Sequence, residues 1–316
     1  MSNARISCYT LTIYSYFYLD GSFEVKVHAS GYIFTDYLAL EDMYKDLTTA
    51  GETQISAYGY RVHDVVISSI HSHEIIFKVD LDIAGTANTL YRVEVEPTTH
   101  HYPFEDKPRR TMSLVHTPVT SEAGLDWPAN SAGIFVVLNN ASTNVWGEKR
   151  GYKIVPGTGM GTPPHLAVAR STALGKSAGW ATHNVWVLRQ HDAELRCASE
   201  WNAWEIDAPL IDFDAMVDGE STVQEDLVVY FNVGVHHISN SQDVPNTLMH
   251  WSGTSAMFVP HNYFDREPSR ESAQGVRVRM QRDGKGENDV KYFGARYDRD
   301  VFIRKVMSSL ETEREN

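Results

Sequence analysis

Two short histidine groups have spacings that permit chemistry. His71-Ser72-His73 lies in IHSHEIIFKVDLDIAG, residues 70–85, whose β-branched, alternating character reads as strand. Residues i and i+2 of a strand project to one face, so two imidazoles can reach one ion. Chance alone yields roughly 0.6 such pairs in 316 residues containing 14 histidines, so the pair by itself reads more readily as two rings on a wet sheet face. The second group changes that balance. His236-His237 closes the apolar run LVVYFNVGV, and neighbours on a strand face opposite ways, so only one of the two can join the first pair. Three neutral imidazoles without a thiolate suit Cu(II), Zn(II) or non-haem iron. No carboxylate that would complete an iron facial triad is evident beside them, and copper is the preferred reading.

Other motifs carry less. Gly175-Lys176-Ser177-Ala178-Gly179 matches the pattern of a hydrolase nucleophile elbow, with His183 and Asp192 downstream. That elbow needs a strand before it and a helix after it, whereas here the helix-like LAVARSTAL (166–174) precedes and a strand follows. Gly157-Thr158-Gly159-Met160-Gly161 lacks the Lys-Ser/Thr of a phosphate loop and reads as a turn. Trp180, Trp186, Trp201 and Trp204 read as core rather than as a sugar-binding face.

The elements that must hold the histidines are strands. Residues 12–33 alternate around Asp20-Gly21 as a hairpin, and 90–97, 132–140, 150–156, 183–190, 225–238 and 254–264 continue in the same manner. Residues 98–130, rich in Pro, Thr, His and charge, read as a long excursion, and 270–316 as a charged extended tail ending in a short helix or disorder. The expected fold class is all-β, a large antiparallel β-sandwich incomplete at its N-terminus. The expected organisation is an atypical start over 1–11, the sandwich over 12–268 and a tail over 269–316.

Composition excludes several classes. Lys plus Arg is 28 against 41 Asp plus Glu, a net charge of -13 that repels phosphate backbones and anionic membranes, so neither nucleic acid nor a membrane is an expected partner. With only Cys8 and Cys197, no disulfide framework or cysteine zinc site can be built. MSNARISCYT has no signal-peptide pattern, no apolar run reaches membrane-span length, and the ending Glu-Arg-Glu-Asn is no peroxisomal address. The compartment stays open between cytoplasmic and peroxisomal.

VYFNVGVHHISNSQDVPNTL and FVPHNYFDREPS resemble the end of the catalytic domain of copper amine oxidases, and IHSHEIIFKVDLDIAGTANTL resembles that family's paired-histidine strand. GYKIVP and HNVWVLRQ resemble segments between them, so the likeness spans 12–268 and is closest to fungal members. The resemblance implies that His71, His73 and His237 are copper ligands, with His236 the outward neighbour. It also implies a secondary Ca²⁺- or Mn²⁺-type site from Asp80, the Leu81 carbonyl, Asp82, Asp226 and the Leu227 carbonyl.

In the family, a tyrosine within Asn-Tyr-Asp/Glu is oxidised to topaquinone by copper and O₂. Counting back from Phe17 and Asp20-Gly21 sets Tyr9 at that position, although Cys8 replaces the asparagine and Thr10 the acid. The implied reaction is oxidative deamination of a primary amine by O₂ to aldehyde, ammonia and hydrogen peroxide, in a homodimer for which 98–130 is a candidate arm. No Asp or Glu precedes Tyr9. The expectation is therefore that this chain, lacking the family's general base, binds copper without completing the cycle. The rival expectation is a non-catalytic metal-binding β-sandwich module.

Overall fold

The computed structural model describes residues 2–6, 9–37, 59–157, 175–247, 253–268, 275–280 and 288–293. The chain opens with β1 (Ser2–Ile6), β2 (Tyr9–Phe17) and β3 (Phe23–Tyr32). The alternation over 12–33 does form a hairpin, with Gly21 at φ 82° and its N–H donating to the Tyr18 carbonyl oxygen at 3.0 Å. Next, β4 (Thr35–Tyr37), β5 (Gly59–His63) and β6 (Val66–Ser69) make a three-stranded sheet. The histidine segment divides into β7 (His71–His73) and β8 (Ile76–Asp80).

About half of the expected 98–130 excursion is strand. β9 runs Thr89–His100, β10 runs Arg109–Pro118, and all of β10 pairs with β9 from Tyr91 to His100. Pro97 is tolerated because it lies past Glu94, the last β9 residue paired with β12, and has only β10 as a neighbour. Then come β11 (Ala123–Leu125), β12 (Gly133–Thr143), β13 (Lys149–Pro156), β14 (Val185–Arg189), β15 (Leu227–Asn232), β16 (Val235–His237), β17 (Asn246–Thr247) and β18 (Gly253–His261). The supposed tail holds a further antiparallel pair, β19 (Gly275–Arg279) with β20 (Asp289–Phe293). The helix read over 166–174 and the end of the chain beyond 293 lie outside the described residues.

Two compact units are distinguished, Met1–Phe17 with Ser22–Tyr263, and Tyr18–Gly21 with Phe264–Asn316. In the first, strands run β1-β2-β3-β18-β13-β12-β9-β10 in one sheet, with β17 also on β3, and β11-β14-β15-β8 in another. The main core lies between them: Val27, Leu90, Phe135, Val137, Ile154 and Phe258 come from the larger sheet, Val185, Val187, Val229 and Phe231 from the smaller. Phe258 stacks on Phe23 at 4.4 Å and meets Phe231 edge-on at 5.0 Å. This face-to-face arrangement is the large antiparallel β-sandwich expected from sequence. The other side of the smaller sheet is covered by Phe213, Trp180 and Met216, packed on Trp186, Leu188 and Tyr230. Of the four tryptophans read as core, Trp186 is buried and Trp180 half-buried, while Trp201 and Trp204 are exposed. No helix among the described residues is long and apolar enough to cross a membrane.

Candidate metal centre

The histidines sit on one two-stranded ribbon. β7 pairs with β16, setting His71 opposite His237 and His73 opposite Val235, and β8 pairs with β15, setting Ile76 opposite Asn232 and Asp80 opposite Val228. One register runs through both ladders without a slip. Only Glu74-Ile75 and Val233-Gly234 interrupt them, bridged by the Val233 N–H donating to the Ile75 carbonyl oxygen at 2.8 Å. Because the period is two, His71, His73 and His237 fall on a single face, and His236 turns away to Ser72 Oγ at 2.6 Å.

Convergence is close. One ligand nitrogen from each of the three rings lies within 4.8 Å of the other two. His71 Nε2 and His237 Nδ1 are 3.1 Å apart, which two nitrogens each about 2.0 Å from one ion, about 100° apart, would show. The rings are held from behind. His71 Nδ1–H donates to the Ser69 carbonyl oxygen at 2.9 Å, which leaves the Nε2 lone pair directed at the trio. His237, buried, turns Nε2 toward Thr247 Oγ1 at 3.5 Å, and Phe34 packs edge-on against His71 at 4.7 Å.

Burial lowers the His71 pKa against the opposing Ser69 hydrogen bond. It pulls His73 down to about 4, helped by the neighbouring His71 and His237, and His237 down to about 4, helped by His71 and opposed by Asp243. All three rings are therefore neutral at pH 7, the form that ligates metals. Three neutral imidazoles without a thiolate fit a cupric ion, and among the described residues no carboxylate joins the trio to make an iron-type triad.

One carboxylate does stand beside the trio, and sequence reasoning passed over it. Glu74 follows His73 and so leaves the strand on the opposite face. Both its oxygens are buried, and the Asn232 side chain beside them, with Nδ2 also buried, is the hydrogen-bonding group that acts on the carboxyl. Burial pushes the Glu74 carboxyl up to about 7, with the nearby Asn232 side chain drawing it down.

The acidic set predicted for a second cation also comes together. Asp80, Asp82 and Asp226 bring carboxylate oxygens within 4.8 Å of one another. Extending the ribbon's register past Asp80 puts Leu81 opposite Leu227 and Asp82 opposite Asp226. Asp226 Oδ1 is buried and unbonded, while the Leu81 carbonyl accepts the Ile83 N–H at 3.0 Å and keeps one lone pair. Burial, Asp82 and Asp226 raise the Asp80 pKa against Lys78.

The hydrolase motif does not assemble. Gly175–Thr182 is a 3₁₀ segment leading into β14, Ser177 is buried, and His183 faces Asp126 at 3.2 Å. A third acidic group, Glu122 with Asp218 and Glu220, was not foreseen. The buried Glu122 carboxylate accepts the N–H groups of Arg189 at 3.0 Å, Asp218 at 2.9 Å and Gly219 at 3.1 Å, and so fastens the 218–219 loop to the end of β14.

A profile of the copper amine oxidase enzyme domain matches residues 3–279. The chain belongs to the copper amine oxidase family. Among curated relatives, copper amine oxidase vicK1 of Bipolaris victoriae is 40% identical over 269 residues, 84% of this chain and 35% of the relative. The bovine liver isozyme of primary amine oxidase is 27% identical over 270 residues, 84% of this chain and 33% of its own. Among solved structures, the Aspergillus nidulans amine oxidase superposes with TM-score 0.81 at 36% identity, covering 94% of this chain and 38% of that one. Pichia pastoris lysyl oxidase gives 0.82 at 31%, with the same coverage. The chain spans about a third of the length of these curated amine oxidases. The profile reaches further at both ends than the 12–268 likeness read from motifs.

Tyr9, the residue reached by counting back from Phe17 and Asp20-Gly21, lies in β2 opposite Gly31 of β3. On its other edge Gly31 pairs with Thr247 of β17, whose hydroxyl faces His237. Tyr9 is therefore two strands, about 10 Å, from Thr247. Cys8 lies outside the described residues.

Proposed function

We propose that this chain carries the copper-binding portion of a primary amine oxidase, an oxidoreductase that deaminates primary amines with O₂ to aldehyde, ammonia and hydrogen peroxide. The observation that carries the reading is the convergence of three neutral imidazoles on one face of the β7–β16 ribbon. His71 Nε2, His237 Nδ1 and His73 would hold Cu(II). Topaquinone, when formed, supplies the electron sink for amine oxidation, and Tyr9 is its proposed precursor because its register position is two strands from the hydroxyl behind His237.

Residues of this chain would act around that chemistry. The Ser69 carbonyl fixes the His71 tautomer, Thr247 backs His237, and Phe34 screens His71 from water. Asp80, Asp82, Asp226 and the carbonyls of Leu81 and Leu227 would hold a Ca²⁺ or Mn²⁺ ion at the far end of the same ribbon. The β9–β10 hairpin exposes Val95, Tyr102, Phe104, Met112 and Leu114, apolar surface suited to the arm of a homodimer. Residues 12–268 are assigned to the catalytic sandwich, 1–11 to its start and 269–316 to a charged tail.

Thr10, standing where the family has an acid, favours a second reading, a metal-binding sandwich that forms no quinone. The two separate on one experiment. Metal-free protein is loaded with copper without air, exposed to O₂ and treated with phenylhydrazine, and peroxide release is assayed on benzylamine and methylamine. A coloured adduct with peroxide release supports the oxidase, whereas copper uptake without either supports the module.

A further inference from the structure

Glu74 sits where the ribbon passes from the histidine ladder to the β8–β15 ladder. In the shared register it stands across from Gly234, three residues before His237. A Cβ on Gly234 would lie 2.0 Å from Glu74 Oε2 and 2.7 Å from its Cδ, so the carboxylate fills the volume that any other residue at 234 would need. The Gly234 N–H is itself fixed, donating to Asn232 Oδ1 at 2.9 Å. A buried carboxylate with the Asn232 side chain as the one hydrogen-bonding group that bears on its titration costs stability, so packing alone is a poor reason for glutamate here.

We propose that Glu74 is a positioning residue for the metal centre: wedged against Gly234, it sets the spacing of β16 from β7 and hence the approach of His237 Nδ1 to His71 Nε2. The inference rests on the copper reading of the trio. The geometry follows from the register. Val233 is tied to Ile75 by a backbone hydrogen bond on one side of the step and Val235 is paired with His73 on the other, so Glu74 faces Gly234 where the two ladders join. Groups outside the ligand sphere that orient ligands are worth 10–100-fold in metal affinity.

The test uses the full chain, Cu(II) titrated against a competing chelator, and the Cu(II) electron paramagnetic resonance spectrum. Glu74→Ala is expected to weaken Cu(II) binding about 10-fold or more and to alter the parallel hyperfine splitting. Glu74→Gln, of the same shape, should keep the wild-type spectrum. Gly234→Ala displaces the carboxylate from the other side, so it should reproduce the Glu74→Ala effect and add little on top of it. Should Glu74→Ala fail to fold, Gly234→Ala decides the matter alone. Wild-type affinity and spectrum in both variants would overturn the inference and leave the copper site intact, as would a Gln variant as weak as Ala. A wild-type chain that takes up no Cu(II) would overturn the copper reading itself.

Discussion

Replacing Asp226 by asparagine should change stability with opposite sign in the absence and presence of calcium. The three carboxylates of Asp80, Asp82 and Asp226 approach within 4.8 Å. At that separation a pair of unit charges repels by about 0.9 kcal/mol in water and about 3.5 kcal/mol at an effective dielectric of 20. Asp80 and Asp82 are exposed, which puts each pair near the lower figure, so Asp226→Asn relieves roughly 1–2 kcal/mol in metal-free protein. Calcium at 100 times its Kd adds about 2.7 kcal/mol to the wild type. A variant binding about 100-fold more weakly gains only about 0.4 kcal/mol at that concentration, so the wild type becomes the more stable by about 0.3–1.3 kcal/mol. Urea denaturation of both proteins, metal-free and with calcium at matched ionic strength, reads the crossover directly. Equal responses to calcium, or a variant already less stable without it, would refute the cation-site reasoning.

Phe258→Ala removes a fully buried ring stacked on Phe23 and set edge-on to Phe231, and should cost about 3–5 kcal/mol in the same denaturation assay. The Glu220 carboxylate, 2.6 Å from His191 Nε2, raises that imidazole above its ordinary 6.5. The pair's stabilisation is therefore complete below pH 6.5 and disappears as pH rises through the raised value. In Glu220→Gln the His191 midpoint, followed by proton NMR, should fall, and an unchanged midpoint would contradict the assignment.

The sandwich was legible because alternation over 12–33 and the apolar runs at 132–140 and 225–232 report burial of one or both sheet faces. Of the β9–β10 hairpin only 90–97 was legible, and β10 was not, since an edge strand that buries few side chains carries arginines and threonines where a core strand would show alternation. The three histidines were legible as a set because strand periodicity makes i and i+2 share a face. What supports them was not. Ser69, Thr247 and Phe34 act through contacts 2, 10 and 37 residues away in sequence, and nothing in their types signals it. The stretch 225–238 reads as one strand, yet β15 and β16 part at Val233-Gly234, where Glu74 occupies the space from the facing chain. Glu122 was equally invisible, because its partners are backbone N–H groups brought to it by the end of β14 and by the distant loop at 218–219.

The most direct measurement is an anomalous difference map at the copper absorption edge, from crystals of copper-loaded protein. The account predicts one strong peak bounded by His71 Nε2, His237 Nδ1 and a ring nitrogen of His73, about 2.0 Å from each. A peak confined to the Asp80, Asp82 and Asp226 carboxylates, or none at the histidines under saturating copper, would contradict it.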